Sequence, residues 1–194
     1  TMTVTQGSYS HSVEITKSYY EVEVIMEDPG DDLSNWTTDQ WSVTDEHAHS
    51  PSNSITDSEG SNYPDDANNS ITMINEVDLS GVENPTLNFW AKWNIENDWD
   101  YVQLFISTNN GSTWTPMETD HTNPGTGSFQ PNGEPLYDGG SSWVEEIVDL
   151  TDYIGQSVKF RFELHSDGYI NEDGFYFDDF AIISTLESPL NASL

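Results

Sequence analysis

Hydrophobic and polar residues alternate with period two along much of the chain, and the alternating runs are separated by clusters of Gly, Asn, Asp, Ser and Pro. That pattern predicts an all-β protein with almost no helix. The clearest predicted strands are Thr86–Asn94, Tyr101–Ser107, Trp143–Asp149, Ser157–Ser166 and Phe175–Ile183. In the second, Val102, Leu104 and Ile106 share one face and Gln103 and Ser107 the other. In the fourth, Val158, Phe160, Phe162 and Leu164 oppose Lys159, Arg161 and Glu163. One dry and one wet face per sheet predicts a two-sheet antiparallel β-sandwich, the jelly-roll class.

The run from Ser107 to Trp114 predicts a hairpin whose turn is Asn110-Gly111, a pair suited to positive φ. Its spacing resembles the Asp-box hairpin, with Asn109 in the Asp place, and reads as structural. Thr3-Val-Thr5 and His11-Ser-Val-Glu-Ile15 also read as strands, ahead of an opening strand at Val24-Ile-Met-Glu-Asp28. Residues 1–23 are therefore read as the end of an upstream domain or a linker, 24–185 as the sandwich, and 186–194 as a tail without periodicity. No repeat of 20 to 50 residues is present.

Charge narrows the function classes. Of 194 residues, 35 are acidic and four basic, a formal net charge of −31. Nucleic acids and anionic membranes are excluded as partners, because either would bring like charges together. Divalent cations suit such a chain. Seven Trp, nine Tyr and eight Phe supply core material, which argues against disorder. Cysteine is absent, so disulfides and thiolate chemistry are excluded. No apolar run reaches membrane-spanning length, which argues against membrane insertion. Thr1 does not open a signal peptide, so the chain reads as part of a longer precursor.

Acid and amide clusters fall at Glu27-Asp28 with Asp31-Asp32, from Asp57 to Asp66, from Glu96 to Asp100, from Asp167 to Asp173, and at Asp178-Asp179. Calcium takes six to eight oxygen ligands, and loops of this composition supply them. Asp178 and Asp179 interrupt an apolar strand, so alternation would turn one of them inward, where an unpaired carboxylate is costly. A cation would relieve that cost. His47 and His49, one residue apart, would share a strand face and could chelate zinc, but only Asp45 and Glu46 adjoin them, and they read as loop histidines. His11 and Glu14 match an H-x-x-E string, yet on an alternating strand they would face opposite ways. No nucleophile elbow, phosphate loop or H-E-x-x-H is present. Paired acids for glycoside hydrolysis would be sought at Asp98 and Asp100 or at Glu172 and Asp173, though their setting equally suits cation ligands. Trp90, Trp99 and Tyr101, with Asp100 among them, are candidates for stacking on a sugar ring, weighed against the commoner core role of aromatics.

A succession of short motifs carries a family resemblance: Trp41-Ser-Val-Thr44, Ser54-Ile-Thr-Asp-Ser58, Asn69-Ser-Ile-Thr72, Pro85-Thr-Leu-Asn-Phe-Trp90, Trp99-Asp-Tyr-Val-Gln-Leu104, Asn110-Gly-Ser-Thr-Trp114, Val148-Asp-Leu-Thr-Asp-Tyr153 and Asp173-Gly-Phe-Tyr-Phe-Asp-Asp179. In order and spacing these resemble the immune inhibitor A-like, MAM-like jelly roll, in the version found C-terminal to secreted bacterial zinc carboxypeptidases. The resemblance spans residues 24–184. It implies a secreted, non-catalytic, calcium-binding accessory module beside an upstream catalytic domain. By matching position it implies Glu27 and Asp178 as a pair at one calcium, with the Asp57–Asp65 loop contributing. The expected metal ligands are thus Glu27, Asp57, Ser58, Asn62, Asp65, Asp178 and Asp179. The other reading is a carbohydrate-binding or adhesin module that engages a glycan or protein surface.

Overall fold

The computed structural model describes the backbone of residues 2–6, 9–13 and 19–188 and the side chains of residues 21–186. Its strands, in chain order, are β1 (Met2–Gln6), β2 (Tyr9–Val13), β3 (Tyr19–Asp28), β4 (Trp36–Thr38), β5 (Ser42–Thr44), β6 (Ser54–Thr56), β7 (Asn68–Met73), β8 (Val77–Asp78), β9 (Pro85–Ile95), β10 (Tyr101–Ser107), β11 (Thr115–Pro116), β12 (Asn123–Pro124), β13 (Pro135–Leu136), β14 (Gly139–Asp149), β15 (Ser157–His165) and β16 (Gly174–Ser188). A 3-10 turn at Thr151–Tyr153 is the sole helical element among the described residues.

Two six-stranded antiparallel sheets form the predicted sandwich. One runs β14-β9-β16-β6-β5, with β3 also on β16; the other runs β11-β10-β15-β7-β4, with β8 on the end of β15. The alternation seen in sequence becomes burial. Leu87, Phe89, Ala91, Trp93 and Ile95 of β9 and Val158, Phe160, Phe162 and Leu164 of β15 are all at most 5% exposed. Aromatic rings lock the two layers together. Phe162 stacks on Phe177 across the sandwich at 4.7 Å, and Trp36 meets Phe177 and Phe180 edge-on at 5.3 Å. Full burial of each such side chain stabilises the fold by about 1.5–3 kcal/mol, so this cluster dominates the core.

The hairpin at Asn110-Gly111 is as expected, with φ of 55° and 80° at those two residues. Ser107 Oγ accepts from the Asn109 and Gly111 amides, and Asn109 Oδ1 accepts from the Thr113 amide. These bonds hold the turn, and Asn110 ties it to its surroundings: its amide donates to Glu76 and its side-chain oxygen accepts from Lys159.

Three expectations change. First, β3 begins at Tyr19 and pairs with β16 as far as Ser188, so the ladder starts ahead of Val24 and runs past the expected start of the tail at 186. Val22 and Val24 stay exposed, which hides this stretch from a core-periodicity reading. Second, Gln103 and Ser107 are buried, not wet. Tyr137 bridges to Val102 along the free edge of β10, and Gln103 Nε2 donates to the Pro135 carbonyl. β13 and the following Tyr137 thus cover this part of β10. Third, neither Asp178 nor Asp179 enters the core. A bulge between Asp178 and Ala181 inserts one extra residue against β9, and Asp179 takes it up at φ 51°. Phe177 and Phe180 then both face the core, and the acids are left on the outer side. Glu14 and Ile15 lie outside the described residues, so His11 is placed in β2 without them.

Candidate metal sites

The acids gather in three neighbourhoods. At the bulge, the loop joining β5 to β6 lies across the outer face of the β9–β16 sheet. There the amides of His49 and Ser50 donate to Asp178 Oδ2 at 2.8 and 2.9 Å, and the Asp179 amide donates to Oδ1 at 2.8 Å. Asp178 is wholly buried, and burial holds its carboxyl above the usual range while these amides pull it down. His49 Nδ1 lies 2.8 Å from Asp179 Oδ2, and its ring stacks on Trp90. Gly30, at φ 75°, presses on the same carboxylate: a Cβ there would lie 3.0 Å from Asp178 Oδ1. Asp28 is similarly engaged, by the backbone amide of Gly30, the side-chain amide of Asn35 and the indole of Trp36. Glu27 is exposed and lines a cavity together with Asp179. Asp178 itself is thus met by backbone donors.

The second neighbourhood lies where β6 ends and β16 begins. Asp57 is 3% exposed; its Oδ1 accepts from the Phe175 amide at 2.6 Å, and its Oδ2 has no partner. Burial, and to a lesser degree the charge of Asp173, pushes its carboxyl up to about 7, against the hydrogen bond from Phe175. Ser58 Oγ donates to the Asp173 carbonyl. Asp173 is shared among Lys92, Tyr176 and His47. Asn62 and Asp65 reach elsewhere, to the carbonyl and the side-chain amide of Asn171. The expected ligand set is therefore dispersed, and His47 and His49 turn to different carboxylates.

The third neighbourhood unites residues from loops far apart in sequence. Glu96 and Asp100 bound the β9–β10 connection, and Asp167 opens the β15–β16 connection. One carboxylate oxygen from each lies within 4.8 Å of the others. Asp100 is wholly buried; Oδ1 accepts from the Asp167 amide at 2.7 Å, while Oδ2 has no partner. Glu96 Oε2 is also buried without one. Burial first, then the charges of Asp100, Asp167 and Glu172, raises the Glu96 carboxyl. Asp100 is raised chiefly by burial, while the Asp167 amide and the nearby Tyr63 hydroxyl pull it down and the charges of Asp167 and Asp65 add to the rise. Two full charges at that spacing repel by about 3 kcal/mol at an effective dielectric constant of ~20. No ion pair among the described residues involves any of the three. Sequence reasoning marked both acid clusters and named Asp100 as a ligand-binding candidate. Glu96 belongs to the same sequence cluster as Asp100, but Asp167 belongs to another, and only the fold closes that gap.

The proposed sugar-binding aromatics do not form one platform. Trp90 has a face covered by His49, and Tyr101 is 8% exposed and stacks on His165; Trp99 stays exposed on its turn.

Similarity to known proteins fits this architecture. The family model described as immune inhibitor A-like, MAM domain matches residues 59–185. Bacillopeptidase F of Bacillus subtilis is 31% identical over 120 residues, which is 61% of this chain and 7% of that protein. The pre-pro-metalloprotease PrtV of Vibrio cholerae is 31% identical over 119 residues, again 61% of this chain and 12% of that protein. The chain thus spans only a small part of the curated relatives it matches. Among solved structures, the CBM22-1 xylan-binding domain of Paenibacillus barcinonensis Xyn10C aligns with a TM-score of 0.51 at 12% identity, covering 86% of this chain and 96% of that domain. At that identity the likeness is one of fold.

Proposed function

Because this chain belongs to the immune inhibitor A-like, MAM domain family, we propose that it is a non-catalytic accessory module of a secreted metallopeptidase, stabilised by calcium and carried beside an upstream catalytic domain. The observation that carries this reading is the partial match to a pre-pro-metalloprotease, in which the similar stretch is a minor segment of a much longer chain. Such a module stabilises the enzyme or positions it on a substrate or surface.

Calcium enters through donor chemistry. Asp57, Glu96 and Asp100 leave buried carboxylate oxygens without partners, which hard, oxygen-seeking cations satisfy. Extracellular modules hold calcium with Kd values of ~0.1–1 mM. Binding to the folded state alone then adds about 1–3 kcal/mol at external calcium levels, a sizeable share of a domain's margin. The ion supplies positive charge; the chain supplies the fixed loops around it.

The deciding experiment removes the module from the peptidase precursor. Deletion is expected to shorten the thermal half-life of the peptidase or lower its secreted yield, with kcat/KM on a small peptide unchanged. An enzyme equal in lifetime, yield and action on protein substrates without the module overturns the reading. Glycan binding is the second reading, favoured by the exposed Trp99 ring beside acid groups that accept from hydroxyls. Retention on an insoluble polysaccharide that Trp99→Ala abolishes would support it.

A further inference from the structure

We propose that Glu96, Asp100 and Asp167 form a calcium site that ties the β9–β10 connection to the β15–β16 connection. The inference rests on the calcium reading above and assigns the ion a place. Two independent observations converge. Three carboxylates bring oxygens within 4.8 Å of one another. One of them, Asp100, is wholly buried with Oδ2 unpartnered. An acid cluster at a surface is ordinary, since water screens it. A buried carboxylate oxygen without a donor is not, and here a second one, Glu96 Oε2, accompanies it. The surroundings add negative charge, from Asp65 and Glu172.

The donor set selects the ion. Every ligand atom is a carboxylate oxygen, with no imidazole or thiol in the group, which disfavours zinc and copper. Irregular loop ligands suit calcium's variable coordination better than the strict octahedron of magnesium. Water would complete the shell. A proton shared among the three acids is the rival way of relieving their repulsion, and it predicts no response to calcium at neutral pH.

The site would hold more than its ligands. The Asp167 carbonyl accepts from the Asp66 amide, and Ser166 Oγ donates to the Pro64 carbonyl, so the loop before β7 is fastened to the same point. The two connections that supply the ligands also carry Trp99 and Tyr169, 45% and 77% exposed. Calcium would therefore fix the presentation of both rings.

The test uses the full chain freed of metal, with calcium for thermal melts and terbium as a luminescent calcium substitute excited through nearby Trp and Tyr. Asp100→Asn keeps the acceptor for the Asp167 amide while removing the charge, and Glu96→Gln changes the less buried partner. The wild type is expected to melt higher in calcium and to sensitise terbium. Each variant is expected to bind at least ~10-fold more weakly and to lose the calcium shift, because charged ligands set affinity. Asp152→Asn, at an exposed acid outside the three acid neighbourhoods, should retain the shift and the terbium signal. A full calcium shift in both triad variants would overturn this site while leaving calcium binding intact. No calcium response in the wild type would overturn both.

Discussion

The imidazole of His49 lies flat on the indole of Trp90, ring centroids 3.7 Å apart and planes within 8°. The same residue reaches Asp179 through Nδ1 and Asp178 through its backbone amide. His49 thus offers the outer face of the sheet a ring, a ring nitrogen and an amide, and the Ser50 amide joins it in clasping the β5–β6 loop onto Asp178. His49→Ala keeps the amide and removes the other two. It is expected to cost about 1–2 kcal/mol in urea unfolding and to change Trp emission as the Trp90 face opens to water. An unchanged midpoint and spectrum would mean that the loop is held by Asp178 alone.

Asp178 and Asp179 are neighbours with unequal duties. Asp178→Ala would strand the amides of His49, Ser50 and Asp179 beneath the loop, a loss expected at about 3 kcal/mol or more. Asp179 is partly exposed with a single histidine partner, so Asp179→Ala is expected to cost below ~1 kcal/mol. Equal destabilisation by the two in chemical unfolding would contradict this division.

The difference between these two residues marks how far sequence carries. Period-two alternation located β9, β10, β15 and β16 because their core faces are continuous, and Asn110-Gly111 located a hairpin because its turn chemistry is local. The bulge was hidden, since an inserted residue is visible only against the partner strand. Glu96, Asp100 and Asp167 each stood out as members of acid clusters, yet Asp100 and Asp167 are 67 positions apart. Their meeting depends on the pairing of β10 with β15, where Tyr101 faces His165 and sets the two loops side by side. The charge was legible; the address was not.

Gly174 offers a test of the second acid neighbourhood. Its φ is 90°, and a Cβ there would collide first with Ser58 Oγ and lie 2.8 Å from both carboxylate oxygens of Asp57. Neither backbone nor carboxylate can yield easily, since the Phe175 amide fixes Asp57 from the next residue. Gly174→Ala is expected to destabilise by about 3 kcal/mol or more. Gly60, with positive φ but open space at its Cβ, should lose only about 1 kcal/mol on the same change. Equal losses at the two positions would mean that crowding against Asp57 and Ser58 adds nothing to the backbone cost.

Asp57 gives the chain a pH dependence of definite sign. Its carboxyl is pushed up to about 7 in the fold, chiefly by burial, whereas an unfolded Asp titrates near ~3.9. Below the lower value both states hold the proton, and the residue's ionisation costs nothing. Between the two the unfolded chain releases a proton that the native state keeps, so stability falls as pH rises. Above about 7 the native group ionises too, and the loss levels off. The spacing corresponds to a loss of no more than about 4 kcal/mol. Asp57→Asn removes the ionisation but keeps an oxygen for the Phe175 amide, at the cost of an unpartnered N–H where Oδ2 stood. In calcium-free buffer the variant is expected to be about 1–3 kcal/mol more stable than wild type at pH 8 and no more stable at pH 4. Urea unfolding at the two pH values decides it. A gain of equal size at both would mean that the charge of Asp57 is not what costs the native state, and the source of the pH dependence would pass to Glu96 and Asp100, whose carboxyls are raised in the same direction.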